Sequence, residues 1–432
     1  MKKLTNLHCK ETSYEGLGTI RLDNQTIFVY DLFEDEIADV SIIKQTKKIV
    51  FAKVDKLIKA SVYRLKNHSS NIFSAPLINL DYQKQIEFKA NYFKNLLLRN
   101  TKIKEEVIFP FVKANQIYNY RNKIRYKLSV DQNILKAYES IAKTNQLILA
   151  NSFNQNKEVL NKTLTFVLNK VNTFYQTNKN SNLKYFKQIT LRTNQNNQVS
   201  LSFEIDKLYD LPKALINQIT TNLNIIEIAT QKDKQTQIIY QSQQFYMQLL
   251  DKKFVISPSA FFQVNDEIAS IIFTKIKELL ADFSNKTIID AFCGVGVISQ
   301  LVANDNQNVF GVDIEQSAIL AANYNSEINK INNAKYIAGD AFKVLVEHKQ
   351  ILKDSIMILD PPRAGLGKEL VDFISKLNLD NLIYMSCDPR TLTRDIQFFE
   401  NHGYTVKYIQ GFDMFPNTSH IESVCLITRV DH

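Results

Sequence analysis

The stretch KTIIDAFCGVGVISQLVA, residues 286–303, joins an apolar strand to a helix through a short turn that contains glycine. Gly294 and Gly296 stand where the chain leaves the strand, and they would let a ligand approach the backbone closely. Strand, tight turn and helix in this order are typical of parallel sheets, which bind ligands at the carboxyl ends of their strands. G-x-G is weak evidence alone, because dinucleotide sites use it too, but Ser299 replaces the third glycine of their fingerprint.

The alternation of strands and helices continues to the end of the chain. A helical pattern over 266–283 precedes the quoted stretch, and strand-like runs follow it in NVFGVDIE, AKYIAGDAF, SIMILDPPRAG, NLIYMSCDP and SVCLITRV. Apolar strands alternating with helices predict a parallel, doubly wound sheet. We therefore predict an α/β, Rossmann-like domain over residues 254–432.

The chain before this domain reads differently. Short strands with turn residues between them over 12–58 predict a small β-barrel of the oligonucleotide-binding (OB) kind, occupying 1–58. The pattern over residues 59–253 predicts a linker followed by a mixed α+β central domain. Within it, the apolar residues of 82–100 have helical spacing. We expect that helix to pack on the C-terminal domain.

The charge is divided between the two parts. Residues 1–250 carry a net charge of +15 and residues 251–432 a net charge of −6. Lysines 44, 47, 48 and 53 cluster in the predicted barrel, and YNYRNKIRYKLSV (118–130) interleaves aromatic and basic side chains that can stack on bases and hold phosphates. Solvated lysine faces would explain the same charge, so this asymmetry favours RNA binding only weakly.

Two classes of protein are disfavoured by composition. The sequence contains no apolar run of about 18 residues, so we expect no contact with a membrane. The first residues lack the apolar segment of a secretion signal, and the four cysteines show neither a CxxC pair nor zinc spacing. We expect a cytoplasmic protein with free thiols and no bound metal.

The strand ends of the C-terminal domain carry the polar residues that indicate its chemistry. Asp313 ends the second strand, where a carboxylate can accept hydrogen bonds from both ribose hydroxyls. Dinucleotide enzymes place an acid there too, but they have no reason for the rigid DPPR loop at 360–363, which S-adenosylmethionine-dependent enzymes acting on nucleobases often have. Enzymes that methylate amino groups follow the two prolines with an aromatic residue that stacks on the base, whereas this chain has Arg363.

Cys387 follows the next strand, beside the DPPR loop. An arbitrary cysteine is most often a small buried hydrophobe. Methylation of uracil at carbon 5, however, requires a thiolate, because that carbon becomes nucleophilic only after a nucleophile has added to carbon 6. This position favours a nucleophilic role for Cys387.

Five motifs in order complete this interpretation: FFQVN (261–265), DAFCGVG (290–296), DPPRAG (360–365), SCDPRTLTRD (386–395) and DMFPNTSHIE (413–422). With them the chain resembles the RNA uracil-5-methyltransferase family, which makes 5-methyluridine in ribosomal and transfer RNA. The resemblance implies a class I methyltransferase domain, an N-terminal TRAM-like barrel and S-adenosyl-L-methionine as cofactor. It implies that Cys387 is the nucleophile and that Glu422 removes the carbon 5 proton. Residues that would contact the cofactor are Gln263, Phe292, Asp313, Asp340 and Asp360.

The chain departs from this family in two places. Many members carry a four-cysteine iron–sulfur cluster, but residues 63–85 contain no cysteine, so we predict no cluster. Val297 stands where relatives often place a polar residue. The barrel-first layout resembles the 23S rRNA enzymes, and we expect a monomer acting on 23S rRNA. Methylation of tRNA uridine 54 and an inert RNA-binding protein stay as alternatives.

Overall fold

The protein, seen here as a computed structural model, is organised by four β-sheets in the part of the chain that the structure describes. That part comprises residues 2–141, 143–144, 146–150, 153–178, 182–206, 209–233, 235–258, 260–352, 354–377 and 379–430. Within it, no helix combines the length and the apolar composition that crossing a membrane requires.

The N-terminal sheet has six strands in the order β1-β5-β6-β4-β3-β2. Its strands are β1 (Lys3–His8), β2 (Glu11–Thr12), β3 (Gly18–Leu22), β4 (Gln25–Tyr30), β5 (Ile37–Gln45) and β6 (Ile49–Lys59). Asp23 and Asn24 both have positive φ and form the two-residue turn between β3 and β4. Buried side chains of β1, β3, β4, β5 and β6 share one cluster. The edge strands β1 and β2 are not paired with each other in this sheet, so the expected barrel is not a closed one.

A helix and a strand then leave the N-terminal sheet and join the C-terminal one. Helix α1 (Tyr82–Asn100) begins at Asp81, whose side chain accepts a hydrogen bond from the Lys84 amide at 3.2 Å. After a short 3-10 helix, Glu105–Val107, strand β7 (Ile108–Val112) pairs in parallel with a strand about 300 residues later in the chain. The C-terminal sheet therefore contains a strand from the N-terminal third of the chain.

The central sheet has seven strands in the order β10-β9-β8-β11-β12-β13-β14, and its helices pack on the buried face of the sheet. The elements are β8 (Lys123–Asp131), β9 (Ile134–Ser140), β10 (Leu147–Leu149), α2 (Glu158–Thr177), the 3-10 helix Asn182–Tyr185, β11 (Phe186–Thr193), β12 (Val199–Ile205), α3 (Lys213–Ile219), β13 (Ile225–Lys232) and β14 (Gln235–Gln241). Strands β15 (Tyr246–Leu249) and β16 (Lys252–Val255) form a hairpin that follows it.

The C-terminal sheet has eight strands in the order β19-β18-β17-β20-β21-β23-β22-β7. Its elements are α4 (Asp266–Leu280), the 3-10 helix Ala281–Phe283, β17 (Thr287–Asp290), α5 (Val297–Val302), β18 (Val309–Asp313), α6 (Gln316–Ile328), β19 (Ala334–Ala338), α7 (Ala341–Glu347), the 3-10 helix Lys349–Leu352, β20 (Ser355–Leu359), α8 (Gly367–Lys376), β21 (Asn381–Ser386), α9 (Pro389–Glu400), β22 (Tyr404–Phe412) and β23 (Glu422–Arg429).

Helices cover both faces of this sheet, as expected for a doubly wound fold. Alternate residues of the central strands face opposite sides: Ile288 and Ile358 pack with α4, α5 and α6, whereas Ile289 and Leu359 pack with α1, α8 and α9. The predicted α/β fold with its parallel strands is confirmed for β17–β21. The antiparallel strand β23 and the added strand β7 extend it to a mixed sheet.

Candidate active site

The carboxyl ends of four parallel strands bring the sequence-predicted residues to one edge of the sheet. Asp290 and Asp313 are the last residues of β17 and β18, and Asp360 and Cys387 follow β20 and β21 directly. These strands are neighbours in the order β18-β17-β20-β21, so the four residues lie along one line at this edge.

Glu422 reaches the same edge because its strand runs the other way. It is the first residue of β23, which pairs antiparallel with β21 and places Ser423 opposite Ser386. The Ser423 hydroxyl donates a hydrogen bond to the Ser386 carbonyl at 3.1 Å. Cys387 and Glu422, each one residue beyond this pair, are therefore adjacent across the strand ends. The strand was predicted from the sequence, but its direction was not.

Burial raises the pKa of both the Cys387 thiol and the Glu422 carboxyl above their ordinary values. Cys387 is half-buried, and its pKa is raised to about 11 by burial first and by the negative charge of Glu422 second. The pKa of Glu422, which is 3% exposed, is raised well above its ordinary range by burial and by Asp360. The positive charge of Arg363 lowers the pKa of both groups, so it favours their ionised forms.

Two further acidic side chains lie along the same strand ends. The pKa of Asp360 is raised to about 7 by burial and then by the charge of Asp290. The pKa of Asp290, which has no solvent exposure, is raised to about 6 mainly by burial, and Ser299 acts against this rise. Acidic groups with pKa values moved toward neutrality cluster at functional sites, which marks this strand edge as a candidate site.

A cavity of about 400 Å³ opens at the same edge. Gln263, Phe292, Asp313 and Asp360, four of the five predicted cofactor residues, line its wall. Asp340 is not among its lining residues: it is exposed, and its side chain accepts a hydrogen bond from the Lys343 amide as the N-cap of α7.

Asp313 is held in place by the turns around it. Its Oδ2 accepts a hydrogen bond from the Gly294 amide and its Oδ1 accepts one from the Glu315 amide, both at 2.9 Å. Gly294 has a φ of +52°, and a Cβ added to it would meet no atom within 4 Å. The backbone at Gly294 is therefore open to the cavity, and a nucleoside-sized ligand can lie against it beside the Asp313 carboxylate.

The residues of this cavity fit S-adenosylmethionine. Asp313 lies where ribose hydroxyls can be bound, and Phe292 with Val297 and Ala318 supplies an apolar wall for a purine. Glu315 and Phe273 also line the cavity, although neither was predicted from the sequence. Glu315 follows Asp313 by two residues in the GVDIE strand end, and that position was the available signal.

The loop 413–421 that leads into Glu422 is fixed by helix α1. The Lys89 ammonium donates to the Asp413 carboxylate at 2.5 Å and to the Phe415 carbonyl at 3.1 Å, and Tyr82 donates to Asp413 at 2.8 Å. Gln85 and the amide and side chain of Asn417 exchange further hydrogen bonds. These positioning residues were not predicted from the sequence. Their signal is a lysine and a glutamine four residues apart on the apolar face of a helix.

The N-terminal and central parts of the chain both contact residues at this edge. Arg390, in the first turn of α9, forms an ion pair with Asp388 at 2.6 Å, and its guanidinium lies 4.4 Å from the ring centroid of Tyr14 in the N-terminal part. From the central sheet, Lys123 donates to the Ala260 carbonyl at 3.1 Å and Arg192 donates to the same oxygen. Burial lowers the pKa of Lys123 to about 7 and that of Arg192 to about 9.

Among the described residues, no group of three or more histidine, cysteine, aspartate or glutamate side chains is arranged to hold a metal ion.

Comparisons with known proteins agree with this geometry. The family model of tRNA (uracil-5-)-methyltransferases matches residues 81–430. An uncharacterized RNA methyltransferase of Fusobacterium nucleatum is 30% identical over 444 residues, which cover 96% of this chain and 93% of the relative. One of Enterococcus faecalis is 28% identical over 442 residues, with 97% and 96% covered. A solved structure, Pyrococcus abyssi tRNA (uracil-54, C5)-methyltransferase in complex with S-adenosyl-L-homocysteine, matches with a TM-score of 0.73 at 22% identity, covering 98% of this chain and 100% of that chain.

Proposed function

The chain belongs to the tRNA (uracil-5-)-methyltransferase family and is an S-adenosylmethionine-dependent RNA (uracil-5-)-methyltransferase; from this premise we propose that Cys387 and Glu422 perform the reaction on a uridine of 23S rRNA. The observation that carries the residue assignment is the placement of Cys387 and Glu422 side by side at the facing ends of β21 and β23. The asymmetric charge of the chain supports an RNA substrate. The choice of 23S rRNA follows the expectation from the sequence.

Cys387 acts first in the proposed mechanism. Its thiolate forms a bond to carbon 6 of uracil, and the electron pair of the 5,6 double bond moves into an enolate at oxygen 4. Arg363 favours the thiolate, because its positive charge lowers the thiol pKa. S-adenosylmethionine, when bound, supplies an electrophilic methyl group to carbon 5 and leaves as S-adenosylhomocysteine.

Glu422 acts second. Its carboxylate takes the proton from carbon 5, the electron pair restores the 5,6 double bond, and the Cys387 thiolate is expelled. The burial of Glu422 suits this role. It raises the pKa of the carboxyl, and a carboxylate with a raised pKa is a stronger base than one with an ordinary pKa. Gln263, Phe292, Asp313 and Asp360 would hold the cofactor along the cavity wall. Asp340, which caps α7 outside the lining, stays a weaker candidate.

Trapping of the intermediate tests this division of roles. Cys387→Ala should form neither product nor covalent RNA adduct. Glu422→Gln should add the thiol and transfer the methyl group, then accumulate a protein–RNA complex that survives denaturing electrophoresis and carries the methyl label. Loss of a general base slows turnover by about 10²–10⁴-fold, so slow release is expected. Normal turnover by Cys387→Ala would overturn the mechanism.

A second candidate substrate is tRNA uridine 54. The observation in its favour is the match to the Pyrococcus abyssi tRNA (uracil-54, C5)-methyltransferase over 98% of this chain. That match includes the N-terminal part, so the barrel-first layout does not separate the two substrates. Unmodified 23S rRNA and tRNA transcripts, incubated separately with labelled S-adenosylmethionine, would decide: label in tRNA alone would overturn the 23S proposal.

We further propose that the enzyme is a monomer, because Cys387, Glu422 and the residues of the cofactor cavity already lie together without a second subunit, and that it is cytoplasmic, because its cysteines are free thiols. Light scattering of the purified protein at several concentrations, with and without RNA, tests the monomer, and a stable dimer would contradict it.

A further inference from the structure

A second cavity, of about 230 Å³, lies in the central part of the chain near the start of β8. It is enclosed by the beginning of β8, the end of β9 and the loop that precedes α2, and Ser74 closes it from the N-terminal side. Tyr126 and Phe153, with ring centroids 5.7 Å apart, form an aromatic wall. Nothing in the proposed mechanism uses this cavity.

Two polar side chains that line it have atoms left unpaired. The side chain of Gln155 is 4% exposed, and its Nε2 has no hydrogen-bond acceptor among the described residues. Glu139 lines the same cavity, and in the described part of the chain the Ser74 hydroxyl is the one group close enough to act on its carboxylate as a donor, although no well-formed hydrogen bond joins Ser74 to Oε2. An unpaired buried polar group costs free energy, so such groups are normally satisfied by a ligand or by water. The pair offers one donor and one acceptor to a planar polar ligand.

Arg121 supplies a cation at the rim of this cavity. Its amide donates to the Gln155 carbonyl at 2.8 Å, which fixes the glutamine backbone. Burial raises the pKa of Glu139, and the charge of Arg121 acts in the opposite direction, so the arginine favours an ionised carboxylate there. The cavity thus combines an anionic acceptor with cationic and amide donors.

The cavity lies next to the candidate active site. Gln263 lines the cofactor cavity, whereas Val264, the next residue, lines the second cavity. Arg121 forms a β-bridge with Asn265, and the Tyr120 hydroxyl donates to the Pro416 carbonyl in the loop before Glu422. One backbone segment therefore separates the two cavities, and an RNA strand that delivers uracil to Cys387, beside the first cavity, can place a neighbouring base in the second.

We propose that this second cavity binds a guanine base of the RNA substrate, unstacked beside the target uridine. The inference rests on the proposed function for its substrate. Guanine presents two N–H donors, at N1 and N2, which suit the Glu139 carboxylate, and the O6 and N7 acceptors, which suit Gln155 and Arg121. Adenine, cytosine and uracil lack two adjacent donors beside an acceptor. Tyr126 and Phe153 provide the apolar contact that unstacked bases require in single-stranded RNA recognition.

Nucleotide-analogue interference would locate such a base. Transcripts of 23S rRNA and of tRNA, sparsely substituted with inosine in place of guanosine, are bound to the protein, and the bound and free fractions are compared position by position. Inosine lacks the N2 amino group, which would donate a hydrogen bond to the Glu139 carboxylate. The wild type should discriminate against inosine by roughly 10-fold at one position close to the methylated uridine. Glu139→Gln should lose discrimination at that position alone, with weaker binding of unsubstituted RNA.

A matched control and a second variant make the result decisive. Asp131→Asn removes one negative charge at the far end of β8 and should keep the wild-type pattern. Gln155→Met with 6-thioguanosine, which keeps the N1 and N2 donors but has a weaker acceptor in place of O6, gives an independent measurement if Glu139→Gln does not fold. Unchanged inosine interference in Glu139→Gln, or no interfering position in the wild type, would overturn the guanine site. The interference experiment measures binding and not methylation. Failure to methylate either RNA would therefore count against the proposed function without affecting the result for the guanine site.

Discussion

Lys89 and Asp413, which are 324 residues apart in the chain, form an ion pair with no solvent exposure on either side chain. The pair joins helix α1 to the loop that leads into Glu422. Both charges are removed from water, so each depends on the other for its stability. The position of the proposed base is thereby linked to a helix far from the catalytic motifs.

Lys89→Met should destabilise the protein and disturb the site. Removal of the cation leaves the Asp413 carboxylate buried without its partner, which typically costs about 3–5 kcal/mol. Thermal unfolding measures the loss, and the turnover of the folded fraction should fall as well. Lys84→Met is the matched control: Lys84 pairs with Glu87 on the exposed side of the same helix, where such pairs contribute about 0–1 kcal/mol. Equal effects of both substitutions would contradict a special role for the buried pair.

The reactivity of Cys387 should report the charges around it. With a thiol pKa raised to about 11, alkylation by iodoacetamide should accelerate about tenfold per pH unit between pH 7 and 9. Glu422→Gln removes a negative charge that raises this pKa, so it should shift the profile to lower pH. Arg363→Ala removes a positive charge that lowers the pKa and should shift the profile to higher pH. Peptide mass spectrometry separates Cys387 from the three buried cysteines. A shift to higher pH in Glu422→Gln, or to lower pH in Arg363→Ala, would refute this electrostatic account.

Cofactor affinity should distinguish Asp313 from Asp340. Asp313→Ala removes the carboxylate that lines the cavity and should weaken S-adenosylhomocysteine binding by roughly 10–100-fold, the range for a hydrogen bond to a charged group. Asp340→Ala should change this affinity little and cost about 1 kcal/mol of stability as a missing helix cap. Isothermal titration calorimetry measures the affinities. A large effect of Asp340→Ala would return this residue to the cofactor site.

The N-terminal sheet should contribute to RNA affinity rather than to the chemical step. Lys47 and Lys48 are exposed in the turn between β5 and β6. Their replacement by alanine should weaken RNA binding and lower its salt dependence by about 0.7–0.9 for each phosphate that is no longer neutralised. Lys277→Ala with Lys335→Ala makes the same charge change on the acidic C-terminal part and should have a smaller effect. Normal binding with slow turnover at saturating RNA would contradict the assignment for the sheet.

Local patterns predicted the parts of the fold that local physics determines. The helical spacing over 82–100 corresponds to α1, and the glycine turn at 294–296 opens the cavity. The direction of β23 and the pairing of β7 were not predictable, because both depend on packing against distant segments. Asp340 illustrates the same limit. A strand-end aspartate can face a ligand or cap the next helix, and only the three-dimensional placement distinguishes these.

The pairing of β7 with β22 has a consequence for synthesis on the ribosome. The Gln410 side chain donates to the Pro110 carbonyl, and these residues are made 300 residues apart. At a synthesis rate of about 5–20 residues per second, β22 is made roughly 15–60 s after β7. During that interval β7 has an unpaired edge and α1 an uncovered apolar face. Exposed strand edges and apolar helix faces bind chaperones and promote aggregation. The catalytic sheet is therefore completed only after nearly the whole polypeptide has been translated.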